Sequence, residues 1–91
     1  MALLTEAQLT AFLDDHVWER EGDSIVRTFE FGDFVEAMGF VTSVALNAEK
    51  ASHHPDIDIR WNKVTLRLST HSEGGLTEKD TELAGEVDSL A

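Results

Sequence analysis

From Asp56 to Ser69 the chain alternates apolar and polar residues in two runs, Asp56-Ile57-Asp58-Ile59-Arg60-Trp61 and Val64-Thr65-Leu66-Arg67-Leu68-Ser69, joined through Asn62-Lys63. In a strand successive side chains point to opposite faces, so each run carries one apolar and one polar face. Two such runs across a short polar turn read as a hairpin. One face of the resulting sheet must be kept from water, and the rest of the chain has to supply the cover.

A third alternating stretch sets Ile25, Phe29 and Phe31 against Val26, Thr28 and Glu30. It follows a Glu21-Gly22-Asp23 turn that pairs it with a short strand around Trp18. The cover comes from three segments with helix start signals. Thr5 with Gln8 forms a capping box, Leu4 and Leu9 fit the flanking staple, and Leu9, Phe12 and Leu13 share a face of a helix that runs to about Asp15. Asp33 with Glu36 repeats the pattern ahead of Phe34, Met38, Val41, Ala45 and Ala48, a long helical stripe that Pro55 stops. Thr77 with Asp80, after Gly74-Gly75, opens a helix whose stripe is Leu83, Ala84, Val87 and Leu90. The order is α-β-β-α-β-β-α. It predicts an α+β fold, a four-stranded antiparallel sheet with three helices packed on one face, formed by residues 1–91 as a single domain.

Ninety-one residues, 42% of them hydrophobic, close one modest core, so oligomerisation is expected. The absence of Cys removes disulfides, thiolate nucleophiles and Cys-ligated metal centres. The formal charge is −11, and Arg20, Arg27, Lys50, Arg60, Lys63, Arg67 and Lys79 are scattered singly. A field of that sign repels polyanions, which argues against nucleic acid and anionic membranes as partners. The acidity suits solubility. MALLTEAQL has neither a basic leader nor a long apolar stretch, and no apolar run approaches the roughly 18 residues of a membrane span, so a soluble, cytoplasmic protein is expected.

The chemistry gathers where elements end. His53 and His54 stand at the carboxyl end of the second helix and His71 follows the last strand residue. Neighbouring residues on a terminating helix point apart, so the two imidazoles can approach a pocket from different sides while His71 closes the group. Glu49, four residues before His53 on one helical face, is expected to fix the tautomer of that ring. Imidazoles, with a reference pKa near ~6.5, give and take protons close to neutrality. Singly these residues name nothing: a histidine at a helix end caps free carbonyls, Asp80 is a capping-box carboxylate, and Trp61 reads as core or pocket wall.

Together they resemble a family. Glu49, three residues, His53-His54-Pro55, five residues, Trp61, nine residues, His71, eight residues and Asp80 reproduce the spacing of the pterin-4a-carbinolamine dehydratases. Ile25 to Phe31, Val44 to Lys50, Ser69-Thr70-His71 and Gly75-Leu76-Thr77 fit the surroundings, and the resemblance runs from about Thr5 to Leu90. Ser52, where many relatives carry Asn or Asp, is a mild departure, as is Trp61 at a position where an aromatic of any kind serves. The resemblance implies a hydro-lyase acting on 4a-hydroxytetrahydropterins, without metal or organic cofactor, that recycles the pterin of aromatic amino acid hydroxylases. It places the catalytic group at His53, His54 and His71, with His53 and His71 as acid and base and His54 chiefly binding the pterin. Substrate contacts would come from His53, His54, Pro55, Thr70, His71, Ser72 and Glu73, and Glu49 and Asp80 would orient the imidazoles from behind.

Two rival readings stand beside it. Three imidazoles with an open position make a metal site, which the divergence of His53 and His54 and the metal-free chemistry of the resembled family disfavour. The second rival is an oligomeric interaction protein on the same fold, since animal members bind a homeodomain transcription factor and relatives with eroded sites act as assembly factors. An intact histidine triad favours the enzyme.

Overall fold

The structure, a computed structural model, describes residues 2–91. Its elements run α1 (Glu6–Asp15), β1 (Glu19–Glu21), β2 (Ser24–Glu30), α2 (Phe34–Ala51), β3 (Asp56–Arg60), β4 (Lys63–Leu68), a 3₁₀ turn (His71–Glu73) and α3 (Glu78–Asp88). The strands form one antiparallel sheet in the order β1-β2-β4-β3, and the helices lie on one face as the alternation requires. Registers Ile25↔Leu68, Phe29↔Val64 and Ile57↔Leu66 bring the apolar residues of three strands onto that face.

Helix entry follows the caps. Thr5 Oγ1 accepts from the Gln8 amide at 3.1 Å while Gln8 Oε1 accepts from the Thr5 amide at 2.9 Å, and Thr77 with Asp80 forms the same reciprocal box. At α2 the carboxylate of Asp33 accepts from the Glu36 amide at 2.9 Å. Leu9 from α1, Ala37, Phe40 and Val44 from α2, and Leu83, Ala84 and Val87 from α3 meet Ile25, Phe29, Val64, Leu66 and Leu68 in one core.

Three expectations are corrected. The stripe that α2 buries is Ala37, Phe40, Val44 and Ala48; Phe34, Met38 and Ala45 remain exposed. Phe40 decides the phase, because its ring reaches Phe29 at 4.7 Å and Phe31 at 4.9 Å, and an aromatic side chain buries more apolar area than the competing Met38. Trp61 is neither core nor pocket wall. It sits in the β3–β4 turn with φ of 52° and is 68% exposed, since Arg60 pairs with Lys63 and the loop is therefore Trp61-Asn62. Trp18 precedes β1 and is buried, its Nε1–H donating to Asp88 at the end of α3. Arg27, facing the helices between Ile25 and Phe29, bonds the same carboxylate at 2.8 Å and lies 4.3 Å from the centre of the Phe29 ring. Among the described residues no helix is long and apolar enough to cross a membrane.

Candidate active site

Helix α2 ends on Ser52, which adopts left-handed angles (φ 51°, ψ 40°), and the His53 amide reaches back to the Ala48 carbonyl at 3.1 Å. That six-residue closure is a Schellman stop, and it turns the chain sharply before Pro55. The reversal breaks the helical phase between Glu49 and His53. Glu49 therefore does not hold His53, as the spacing suggested; its carboxylate accepts from His54 Nε2, in an exposed pair on the outside of the turn. His53 points the other way, toward α3. Its Nε2 donates to Asp80 Oδ1 at 2.5 Å, with the histidine side chain 11% exposed and the carboxylate entirely out of water.

Asp80 is the centre of the arrangement. Its second oxygen accepts from the Thr70 hydroxyl at 2.7 Å and from the Thr77 amide at 2.9 Å, and the Thr70 and Thr77 hydroxyls lie 2.8 Å apart. A buried carboxylate is stable only where donors replace water, and here three protein donors do so. The same group is both helix cap and histidine partner. Thr70 is buried, its amide donates to the Gly75 carbonyl and its own carbonyl accepts from the amides of Glu73 and Gly75. Its hydroxyl, expected at the substrate, is turned inward to Asp80. The next three residues, His71, Ser72 and Glu73, form the exposed 3₁₀ turn, which closes on Gly74 at φ 76°. Glycine is at home in that left-handed geometry.

His71 thus begins one residue beyond a side chain that shares the carboxylate of His53. Between α2 and α3 opens a cleft of about 390 Å³ lined by the polar Asn47, Lys50, His53, Lys79, Glu82 and Glu86 and the apolar Ala51 and Leu83. Of the residues expected in the site, His53 reaches this cleft. His54, Pro55, His71, Ser72 and Glu73 stand outside it. Sequence reading missed Thr77 as more than a cap, and it missed the charged residues of the cleft. Leu83 and Ala84 on the α3 stripe marked the side facing the core, and residues just off that stripe line the groove. Among the described residues no group of three or more His, Cys, Asp or Glu gathers as metal ligands. His16 stacks on Phe12 at 4.1 Å, with Nδ1 and the Phe12 carbonyl 2.9 Å apart at the end of α1.

The family model for pterin 4 alpha carbinolamine dehydratase matches residues 2–90. The chain belongs to the pterin-4a-carbinolamine dehydratase family. A relative from Roseiflexus castenholzii, provisionally named pterin-4-alpha-carbinolamine dehydratase, is 52% identical over 90 residues, spanning 98% of this chain and 97% of its own. Among solved structures, a transcriptional coactivator/pterin dehydratase from Brucella melitensis superposes with a TM-score of 0.94 at 38% identity, covering 99% of each chain. A pterin dehydratase-like protein identified as a RuBisCO assembly factor in the alpha-carboxysome superposes at 0.72 with 26% identity, over 84% of this chain and 90% of that one. The dehydratase fold is therefore shared across relatives described in different roles, and function has to be argued from the site.

Proposed function

We propose that the protein dehydrates 4a-hydroxytetrahydropterins of the 4a-hydroxytetrahydrobiopterin type to quinonoid dihydropterin, recycling the cofactor of aromatic amino acid hydroxylases. In this reaction the carbon–oxygen bond at C4a breaks and the hydroxyl leaves as water with one added proton. A ring nitrogen gives up one proton as the carbon–nitrogen double bond forms. One proton is delivered and one removed, so two imidazoles suffice and neither a redox group nor a metal enters the stoichiometry. His53 and His71 are the acid and base of this reading, and His54, held by Glu49, binds and orients the pterin beside Pro55 and the Ser72-Glu73 turn. General acid and base help of this kind contributes about 10²–10⁴ in rate. The observation that carries the proposal is the coupling of His53 to the buried Asp80 carboxylate, which also ties down the residue before His71.

The test is a spectrophotometric assay with freshly generated 4a-hydroxytetrahydropterin, following the ultraviolet change as water is lost. Dehydration faster than in buffer is expected; a rate equal to buffer would sink the enzyme reading. The likeness to an assembly factor and to a coactivator/dehydratase supports a second reading, an oligomeric interaction protein. A chain that fails the assay while co-purifying stoichiometrically with one partner favours it. The enzyme would work as a soluble cytoplasmic dimer or tetramer.

A further inference from the structure

We propose that Thr70 and Thr77 are positioning residues that act through Asp80 to hold His53 in its Nε2–H form, leaving Nδ1 as the nitrogen that exchanges a proton with the substrate. The inference rests on the dehydratase reading for the word substrate, and on geometry alone for the tautomer. A carboxylate accepts and cannot donate, so the Thr70 hydroxyl must spend its only proton on Asp80 Oδ2. Thr70 Oγ1 can then only accept from Thr77, whose hydroxyl donates across the 2.8 Å contact and itself accepts from the Lys79 amide at 3.3 Å. Proton direction is thereby fixed along the whole chain, from the backbone of α3 through two hydroxyls to the carboxylate.

Thr77 and Asp80 are fully buried and Thr70 is nearly so, so no water competes for these bonds. With Oδ2 occupied by two donors, Oδ1 is presented to His53, and the ring must carry hydrogen on Nε2 whether neutral or charged. Nδ1 makes no hydrogen bond to the described residues. It is a lone pair in the neutral ring and a donor in the charged one, the two states that a base and an acid require. At metal sites, removing the carboxylate behind a histidine costs about 10- to 100-fold in affinity or activity, and a loss of the lower order is expected here.

The experiment uses the full chain labelled with ¹⁵N-histidine, reading ring nitrogen and hydrogen correlations without substrate, beside kinetics on 4a-hydroxytetrahydropterin. Wild-type His53 is expected to show a protonated Nε2 and an unprotonated Nδ1 in its neutral form. Thr70→Val, close to isosteric and removing no side-chain cap bond from the 3₁₀ turn that Thr70 precedes, should mix the tautomers and lower kcat about tenfold with KM changed less than twofold. Thr70→Ser should restore both readouts. Thr77→Val should act in the same direction and Thr77→Ser should rescue it. A neutral His53 protonated on Nδ1 in the wild-type chain overturns the proposal without recourse to any variant, as does a Thr70→Val chain with native spectrum and native kcat. Failure of the wild type to turn over pterin would overturn the dehydratase reading and leave the tautomer assignment standing on its spectrum.

Discussion

The two neighbouring histidines differ in what holds them, and that difference sets what each substitution should do. His53 leans on a carboxylate with no contact with water, whereas His54 and Glu49 are 62% and 76% exposed. An exposed pair of that kind contributes at most about 1 kcal/mol and is screened by salt. His54→Ala should therefore raise KM and leave kcat largely intact, the pattern of lost binding that is equal in ground and transition states. His53→Ala and His71→Ala should each retain partial activity with an altered preference between substrate epimers, since the two imidazoles stand on different segments, one just after α2 and one in the 3₁₀ turn. The double variant should retain almost none. Steady-state kinetics on separated epimers decides this, and near-native rates in the double variant would show that the acid and base are misassigned. The spacing of Glu49, His53, His54, His71 and Asp80 could be read in the sequence, and the structure forms two carboxylate–histidine pairs from it. Which carboxylate serves which imidazole could not be read there, because counting four residues back along a helix assumes the helix continues, and Ser52 ends it in left-handed geometry.

At the level of elements, the chain reads well where local chemistry decides and less well where two patterns compete. The boxes at Thr5 and Thr77 and the alternation of β4 are local, and they form as the sequence implies. Helix α2 offers two apolar stripes on opposite sides, one through Ala37, Phe40, Val44 and Ala48 and one through Val35, Met38 and Leu46. Only contact with Phe29 and Phe31, distant in sequence, selects the inner one. The stop of α2 is also an element-scale feature with a measurable cost. Ser52 sits where a side chain is penalised by about 1–2 kcal/mol, while glycine tolerates the angles but loses more freedom on folding. Ser52→Gly should stabilise the chain by about 0.5 kcal/mol, and Ser52→Val should destabilise it by more than that, because branching at Cβ worsens the same clash. Urea unfolding followed by circular dichroism measures both; a destabilised glycine variant would mean that the Ser52 hydroxyl contributes something its backbone does not show.

The whole molecule leaves apolar surface that one copy cannot cover. A helix apolar on opposite faces is normally buried on both, yet Val35 and Leu46 are exposed in the single chain, with Phe34 and Met38 beside them. On the sheet, Ile57 and Ile59 face the helix side opposite Leu66 and Val64 but remain more than a third exposed, and Trp61 extends that strip. The other edge is protected differently: β1 is three residues long and reads Glu-Arg-Glu, too short and too charged to recruit a strand. Association through the outer face of α2 and the β3 side is the expected outcome, as a homodimer or homotetramer. Opposing it is the charge, −11 on every copy, which repels at low ionic strength and is screened once the Debye length falls to about 10 Å near 0.1 M salt. Light scattering at micromolar concentration should therefore give a mass that is a multiple of 10.1 kDa and that holds or rises as salt is added. Leu46→Glu, which sets a further carboxylate on the exposed stripe without touching His53 or Asp80, should shift the mass toward one chain while far-ultraviolet circular dichroism stays native. A wild-type mass of one chain at high salt would rule the interface out, and dissociation by added salt would show that charge pairs rather than the apolar stripe join the copies.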